Sequence, residues 1–135
     1  MSNPIQPSTF LRRVLLADAI VSAAVGAVMA LGAGALQGLL GLPSSLLMLA
    51  GVALLPYAAY LVWLATRHAL PRAAVWVPIV LNGVWAVECG LLLLQGGVSP
   101  TALGHAFIGV QIVTVLLFAE LEYIGLKRAC AIVPA

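Results

Sequence analysis

The chain has 135 residues, of which 64% are hydrophobic and only 7% are charged, whereas soluble domains carry about 25% charged residues. A water-soluble fold could not cover its surface with this composition, so we expect a single integral membrane domain over residues 1–135. The formal net charge is +2 and the basic residues are dispersed. No basic patch is dense enough to favour a nucleic-acid partner.

The chain begins with an arm, residues 1–10, that contains two prolines and several small polar residues. We expect this arm to be unstructured or to lie on the membrane surface. Four apolar segments follow, and each is long enough to cross a hydrocarbon core of about 30 Å. They cover approximately residues 11–36, 45–66, 74–94 and 101–126. Short connections favour neighbouring antiparallel helices, so the predicted fold is an all-α bundle of four transmembrane helices.

The first apolar segment has a second interpretation as a cleaved signal peptide. Arg12 and Arg13 resemble the basic start of such a peptide, and Ala33-Gly34-Ala35 resembles a cleavage site. Secretory signal peptides contain an apolar region of about 7 to 15 residues. The apolar run in this segment is longer, so we favour a transmembrane helix.

The basic residues predict the orientation of the bundle. They precede the first segment, lie between the second and third segments, and follow the fourth: Arg12, Arg13, Arg67, Arg72, Lys127 and Arg128. The other two loops contain no lysine or arginine. Under the positive-inside rule, both termini and the middle loop are cytoplasmic.

Small residues recur every four positions along the first segment, after an aspartate at its start. In a helix they form one slowly drifting face: Asp18, Ser22, Gly26, Ala30, Gly34 and Gly38. Close approach of backbones across small residues is a main source of helix association in lipid. We therefore expect this face to pack against another helix of the bundle or against a second subunit.

All four acidic residues lie within apolar segments: Asp18, Glu88, Glu120 and Glu122. Counting about 1.5 Å per residue from the basic flanks gives one polar layer about 8 to 14 Å deep. Its predicted members are Asp18, Tyr57, Asn82 and Glu120. Glu88 and Gln111 share a greater depth and form a second predicted pair.

Glu120 and Glu122 are about 200° apart around a helix, so they cannot face the same partner. We expect Glu122 to reach the interface near Lys127 and Arg128. The polar layer has two interpretations, namely a hydrogen-bonded cluster that fixes helix register, or a pathway for protons or ions.

No residue pattern indicates a catalytic centre, a metal site or a cofactor. His68 and His105 lie at opposite ends of the bundle, and the two cysteines, Cys89 and Cys130, form no C-x-x-C pair. Cys130 lies beside basic residues, where lipid attachment is an alternative to an ordinary free thiol. We predict no metal ligands and no cofactor.

Five short motifs resemble those of small, uncharacterised four-helix inner-membrane proteins of bacteria. They are Leu15-Leu16-Ala17-Asp18-Ala19, Leu40-Gly41-Leu42-Pro43, Leu55-Pro56-Tyr57-Ala58, Leu81-Asn82-Gly83-Val84-Trp85 and Tyr123-Ile124-Gly125-Leu126-Lys127-Arg128. The resemblance covers nearly the whole chain and implies a topology and a location in the bacterial inner membrane, but no activity. Small multidrug-resistance transporters have a similar length, but their essential glutamate lies in the middle of the first helix, where this chain has none.

These observations favour a non-enzymatic membrane protein that packs with itself or with a larger complex as an accessory subunit. The alternative is a small oligomeric proton-coupled transporter or channel that uses the intramembrane carboxyl groups. An enzyme that acts on a lipid or quinone within the bilayer is the third hypothesis.

Overall fold

The computed structural model describes residues 4–94 and 100–131. Its helices are α1 Thr9–Leu31, α2 Ala33–Leu40, α3 Ser44–Ala65, α4 Arg72–Leu94 and α5 Ala102–Arg128. Four of them, α1, α3, α4 and α5, are long and apolar enough to cross a membrane. The prediction of a mainly helical chain with four helices able to span a membrane is therefore confirmed for the described part of the chain.

The first apolar segment is not one helix. It divides at Gly32, which ends α1 and precedes the eight-residue helix α2. Glycine lowers helix stability by about 1 kcal/mol relative to alanine, and a second glycine, Gly34, follows closely. Gly41 then ends α2 in the left-handed conformation, with φ 71° and ψ 25°, which glycine adopts without strain.

The N-terminal arm pairs with two other segments, so its described part is not unstructured, which was one of the two expectations for it. Strand β1, Pro4–Gln6, lies between β2, Leu70–Pro71, and β3, Cys130–Ala131. Both pairings are antiparallel, and Ile5 lies opposite Leu70 on one side and Ala131 on the other. Ile5 and Leu70 are buried in the apolar core beneath this sheet. We call this end of the molecule the sheet end.

The sheet places the basic residues at one end of the molecule, since β1 precedes α1, β2 precedes α4 and β3 follows α5. Arg12 also joins α1 to α3, because its guanidinium donates to the carbonyl oxygens of Ala65 at 3.1 Å and Arg67 at 2.9 Å. Aromatic rings lie next to other basic side chains at this end. Arg67 lies over Trp63, and Lys127 over Tyr123, each 5.6 Å from the ring centroid.

The long helices form two pairs. Helix α1 packs mainly against α3, and α4 packs mainly against α5, whereas α3 and α4 make few contacts with each other. Helix α1 also contacts α5 along part of its length. One side of the molecule is therefore less closely packed than the others. We call the boundary between α3 and α4 the open seam.

Helices α1 and α3 cross most closely at Gly26 and Gly51. A Cβ atom added at Gly26 would lie 2.8 Å from the Gly51 carbonyl oxygen, and one at Gly51 would lie 2.6 Å from the backbone nitrogen of Ala30. Gly26 and Ala30 thus lie at the close contact with α3, whereas Ser22 is buried and donates to Asp18. Gly34 and Gly38 do not lie at that contact. Both lie on α2, after the break at Gly32, are exposed, and have nothing within 4 Å of an added Cβ.

The opposite end, which we call the far end, is closed by α2 and the start of α5. The backbone N–H of Thr101 donates to the Leu40 carbonyl oxygen at 3.0 Å, and its hydroxyl donates to the Leu39 carbonyl oxygen at 2.7 Å. The same hydroxyl accepts a bond from the Gly104 N–H at 3.1 Å. Thr101 therefore begins α5 and attaches α2 to it.

Candidate functional site: a buried polar cluster

Five polar side chains from the four long helices meet in the interior toward the sheet end. We call them the polar cluster: Asp18, Ser22, Tyr57, Asn82 and Glu122. Four of these residues are almost completely buried, with exposed fractions of 2% for Asp18, 7% for Ser22, 3% for Asn82 and 0% for Glu122. Tyr57 is partly buried. Such burial of polar groups is costly unless hydrogen bonds compensate for the lost water.

Asp18 is the acceptor at the centre of the cluster. Its Oδ1 accepts from the Ser22 hydroxyl at 3.1 Å, one helical turn along α1. Its Oδ2 accepts from the Tyr57 hydroxyl of α3 at 3.1 Å and from the Asn82 amide nitrogen of α4 at 3.2 Å. Three neutral donors on three helices therefore surround one carboxyl group.

Asn82 connects the two buried carboxyl groups. Its Nδ2 donates to Asp18 Oδ2 and also to Glu122 Oε1, the latter at 3.0 Å. An amide NH₂ has two hydrogens, so both bonds can form at once. These bonds link the α1–α3 pair to the α4–α5 pair. The cluster is thus a polar joint between the two helix pairs, which the hydrogen bond from the Tyr60 hydroxyl to the Ala74 carbonyl oxygen at 2.7 Å also joins.

Only one of the two carboxyl oxygens of Glu122 accepts a hydrogen bond from a described residue. Its Oε2 is buried and has no hydrogen-bond partner among the residues that the structure describes. A buried polar atom without a partner costs about 1 to 3 kcal/mol. It indicates either a proton on one of the two carboxyl groups or a role beyond structure.

The prediction for the two glutamates of α5 was wrong. Glu122, expected at the interface, is the member of the polar cluster, whereas Glu120, expected in the layer, is exposed. Helix α5 turns Glu122, Gly125 and Leu126 toward the interior. Gly125 allows this rotation, because a Cβ added there would lie 2.9 Å from Leu11 Cδ1. A glycine three residues after Glu122 is the sequence signal that could have identified the inward face.

The second predicted pair, Glu88 with Gln111, is not formed. Gln111 Oε1 instead accepts a hydrogen bond from Trp85 Nε1 at 2.7 Å, and Gln111 Nε2 lies 4.0 Å from Met29 Sδ. Glu88 is exposed on α4, and its carboxyl group makes no hydrogen bond or ion pair with the residues described. Sequence reasoning missed Trp85, although its indole N–H needs an acceptor when it is buried.

Two cavities border the open seam. The first has a volume of about 280 Å³ and is lined by apolar side chains together with Trp85, Glu88 and Gln111. The second, about 270 Å³, extends from the polar cluster, where Ser22, Tyr57 and Asn82 line it, to Trp85 and Glu88. Trp85 and Glu88 thus line both cavities.

Within residues 4–94 and 100–131, no group of three or more histidine, cysteine or acidic side chains is arranged to hold a metal ion. Cys89 is a free thiol that lines the first cavity. The polar cluster contains hydrogen-bond donors and two carboxyl groups, but no paired nucleophile and base. The chemistry available to it is hydrogen bonding and exchange of protons.

No protein-family model matches the chain, and neither a curated protein nor a solved structure matches it.

Proposed function

We propose that the protein is a non-enzymatic accessory or scaffold subunit of a bacterial inner membrane, which packs with itself or with a larger membrane complex. In this proposal the four long helices form an antiparallel bundle with both termini in the cytoplasm. The basic residues at the sheet end support that orientation, because positive charge is retained on the cytoplasmic side. The lipid bilayer surrounds the apolar outer faces of the helices.

The open seam is the observation that carries this proposal. Helices α3 and α4 line the cavities at that boundary partly with exposed apolar side chains, among them Leu49, Leu81 and Val84. Membrane helices associate through close packing and interhelical hydrogen bonds. An incompletely packed boundary between two helix pairs therefore offers a surface on which another membrane helix can pack.

Purification from native membranes in a mild detergent tests the proposal. We expect a stoichiometric partner or a defined oligomer. Val84→Trp on the open seam should dissociate it, whereas Val113→Trp, at an exposed position of α5, should not. A monomeric wild-type protein without a partner, after crosslinking in the intact membrane, would refute the proposal.

A second candidate function is that of a small proton-coupled transporter or channel. The specific observation in its favour is the cavity that leads from the polar cluster to Glu88, together with the two carboxyl groups on the Asn82 amide. Adjacent buried carboxyl groups commonly share one proton, because two like charges at short distance repel strongly. Such a pair can accept and release a proton.

The variant Asp18→Asn separates the two candidates. An amide can still accept hydrogen bonds but cannot exchange a proton. In a scaffold, Asp18→Asn should keep the stability and the partner of the wild type. In a transporter, reconstituted liposomes should lose proton flux while the protein remains folded. Glu120→Gln is the matched control, since it removes an exposed acid, and it should leave proton flux unchanged in both cases.

A further inference from the structure

Glu88 is an acidic residue deep within a membrane-spanning helix and outside the polar cluster. It lies about 24 Å along α4 from Arg72 and about 9 Å before the helix ends at Leu94, at 1.5 Å per residue. Its side chain is exposed, and no partner for it exists among the described residues. A carboxyl group at such a depth is costly and calls for a named partner.

The cavity beside Glu88 has the size and composition of a small-ligand site. Its volume of about 280 Å³ is close to the lower limit of known ligand pockets, about 300 Å³. Apolar side chains from four helices form most of its wall, including Met29, Leu47 and Ile108. Glu88 is therefore the one acidic residue among the described residues that line this mainly apolar space.

Trp85 adds an aromatic surface to this cavity. It precedes Glu88 by three residues on α4, so the two side chains lie on the same side of the helix. The hydrogen bond from Trp85 Nε1 to Gln111 at 2.7 Å satisfies the indole N–H and holds the ring in place. The face of a tryptophan ring attracts organic cations, quaternary ammonium ions above all.

We propose that this cavity binds a lipophilic organic cation that carries one positive charge, with its apolar part inside the cavity and its charged group between Glu88 and Trp85. The charge of the carboxylate complements the charge of the ligand, and the apolar wall contacts the apolar part of the ligand. This proposal goes beyond the packing function and does not depend on it.

Other occupants fit the cavity less well. Mg²⁺ and Ca²⁺ require about six or more oxygen ligands, whereas Glu88 and Gln111 are the only acidic or amide residues among the cavity-lining residues described. A partner helix has a diameter of about 10 to 12 Å with its side chains, which is too large for a space of this volume. A neutral acyl chain would fill the apolar part but would leave Glu88 without a partner.

The test uses the full chain, purified in a nonionic detergent, with octyltrimethylammonium as the cationic probe and octanol as the neutral probe. Binding is measured by calorimetry. For the wild type, we expect affinity for the cation to exceed affinity for the alcohol by roughly tenfold or more, as expected for an ion pair combined with a cation–π contact. The variant Glu88→Gln should lose this preference and keep its affinity for octanol.

Glu120→Gln is the matched control, because it removes one exposed carboxyl group from α5 and should retain the preference for the cation. Trp85→Phe should weaken cation binding less than Glu88→Gln does, since phenylalanine keeps an aromatic face. If Glu88→Gln does not fold, Glu88→Asp, which shortens the carboxylate side chain, should weaken binding of the cation and leave that of octanol unchanged.

Equal affinities of the wild type for both probes would overturn the proposal, and so would a preference that survives in Glu88→Gln. A change of oligomeric state in Glu88→Gln, without a change in cation affinity, would assign Glu88 to a contact between copies and would also overturn it. The packing proposal is tested separately, because its experiment measures whether Val84→Trp dissociates the protein from its partner or oligomer.

Discussion

Asn82 is the residue on which both buried carboxyl groups depend. Its single amide nitrogen donates to Asp18 at 3.2 Å and to Glu122 at 3.0 Å. The bond to Glu122 is the only one to that side chain among the residues described. The cluster is therefore asymmetric, since Asp18 has two further donors, Ser22 and Tyr57, and Glu122 has none.

Asn82→Leu should destabilise the protein by about 1 to 3 kcal/mol, because it leaves a buried carboxyl group without its donor. The measurement is the free energy of unfolding in detergent, obtained by denaturant titration. Adding Glu122→Leu to this variant should restore part of the lost stability, since the unsatisfied group is then removed. Adding Glu120→Leu instead should restore nothing. An equal effect of the two additions would contradict the assignment of Glu122 to the cluster.

The residues of this cluster could be predicted from the sequence only in part. Depth along each helix identified Asp18, Tyr57 and Asn82, because counting from basic flanks requires no knowledge of packing. Depth could not separate Glu120 from Glu122, which differ by about 3 Å along the axis. Their separation depends on the rotation of α5, and that rotation follows from its contact with α1 at Gly125.

At the scale of the elements, backbone contacts at glycines determine where helices cross. Gly26 and Gly51 bring α1 and α3 together, and Gly104 brings α5 against the end of α2 at Leu40. The nearest atoms at these sites are mainly backbone atoms, which cannot rotate away as a side chain can. Each site therefore tolerates little added volume.

Gly26→Ala should lower stability by about 1 to 3 kcal/mol, the usual cost of overpacking a tight contact. The added methyl group would lie 2.8 Å from the Gly51 carbonyl oxygen. Gly34→Ala is the control, because nothing lies within 4 Å of the added atom, and it should be neutral or slightly stabilising. Thermal unfolding of both variants in detergent measures the difference. Equal melting temperatures of the two variants would show that the contact between α1 and α3 at Gly26 has room for a methyl group.

Gly104→Ala should separate α2 from the start of α5, because the added Cβ would overlap the Leu40 carbonyl oxygen. That oxygen accepts the hydrogen bond from the Thr101 N–H, so we expect faster hydrogen exchange at Thr101. Gly109→Ala lies on the same helix with no atom within 4 Å of the added Cβ and serves as the control. Unchanged exchange at Thr101 in both variants would show that α2 is held by other contacts.

The elements themselves were predictable to different degrees. The four long helices follow from the length and apolar character of their segments, which are local properties. The break at Gly32 was missed, because apolar residues continue through it on both sides. The sheet was missed because strands of two or three residues carry no pattern of their own. Their pairing depends on segments that are far apart in the sequence, such as Ile5 with Leu70 and Ala131.

At the scale of the whole molecule, three features join the α1–α3 pair to the α4–α5 pair. The sheet joins the segments that flank the pairs at one end, and Thr101 joins α2 to α5 at the other. Between these ends, the polar cluster bridges the pairs near the open seam. The pairs are thus joined at both ends and by polar bonds within, while α3 and α4 pack less closely against each other.

The arrangement of charge makes a prediction about the whole molecule in its membrane. The sheet brings the segments around Arg12, Arg67 and Arg128 to one end, and we expect that end to remain in the cytoplasm. A reporter that is active only in the cytoplasm should work when fused to the C-terminus or inserted after Arg67. It should fail after Gly96, which lies outside the described residues, in the loop that contains no lysine or arginine.

A reporter that is active only in the periplasm provides the control and should give the opposite pattern at the same three positions. The C-terminus is the most informative of the three positions, because one crossing more or fewer would place it on the other side of the membrane. Activity of the periplasmic reporter at the C-terminus would contradict four crossings or the assigned orientation, and the position after Arg67 would then distinguish these causes. Activity of both reporters at every position would instead indicate that the chain inserts in two orientations, which the one-sided distribution of its basic residues argues against.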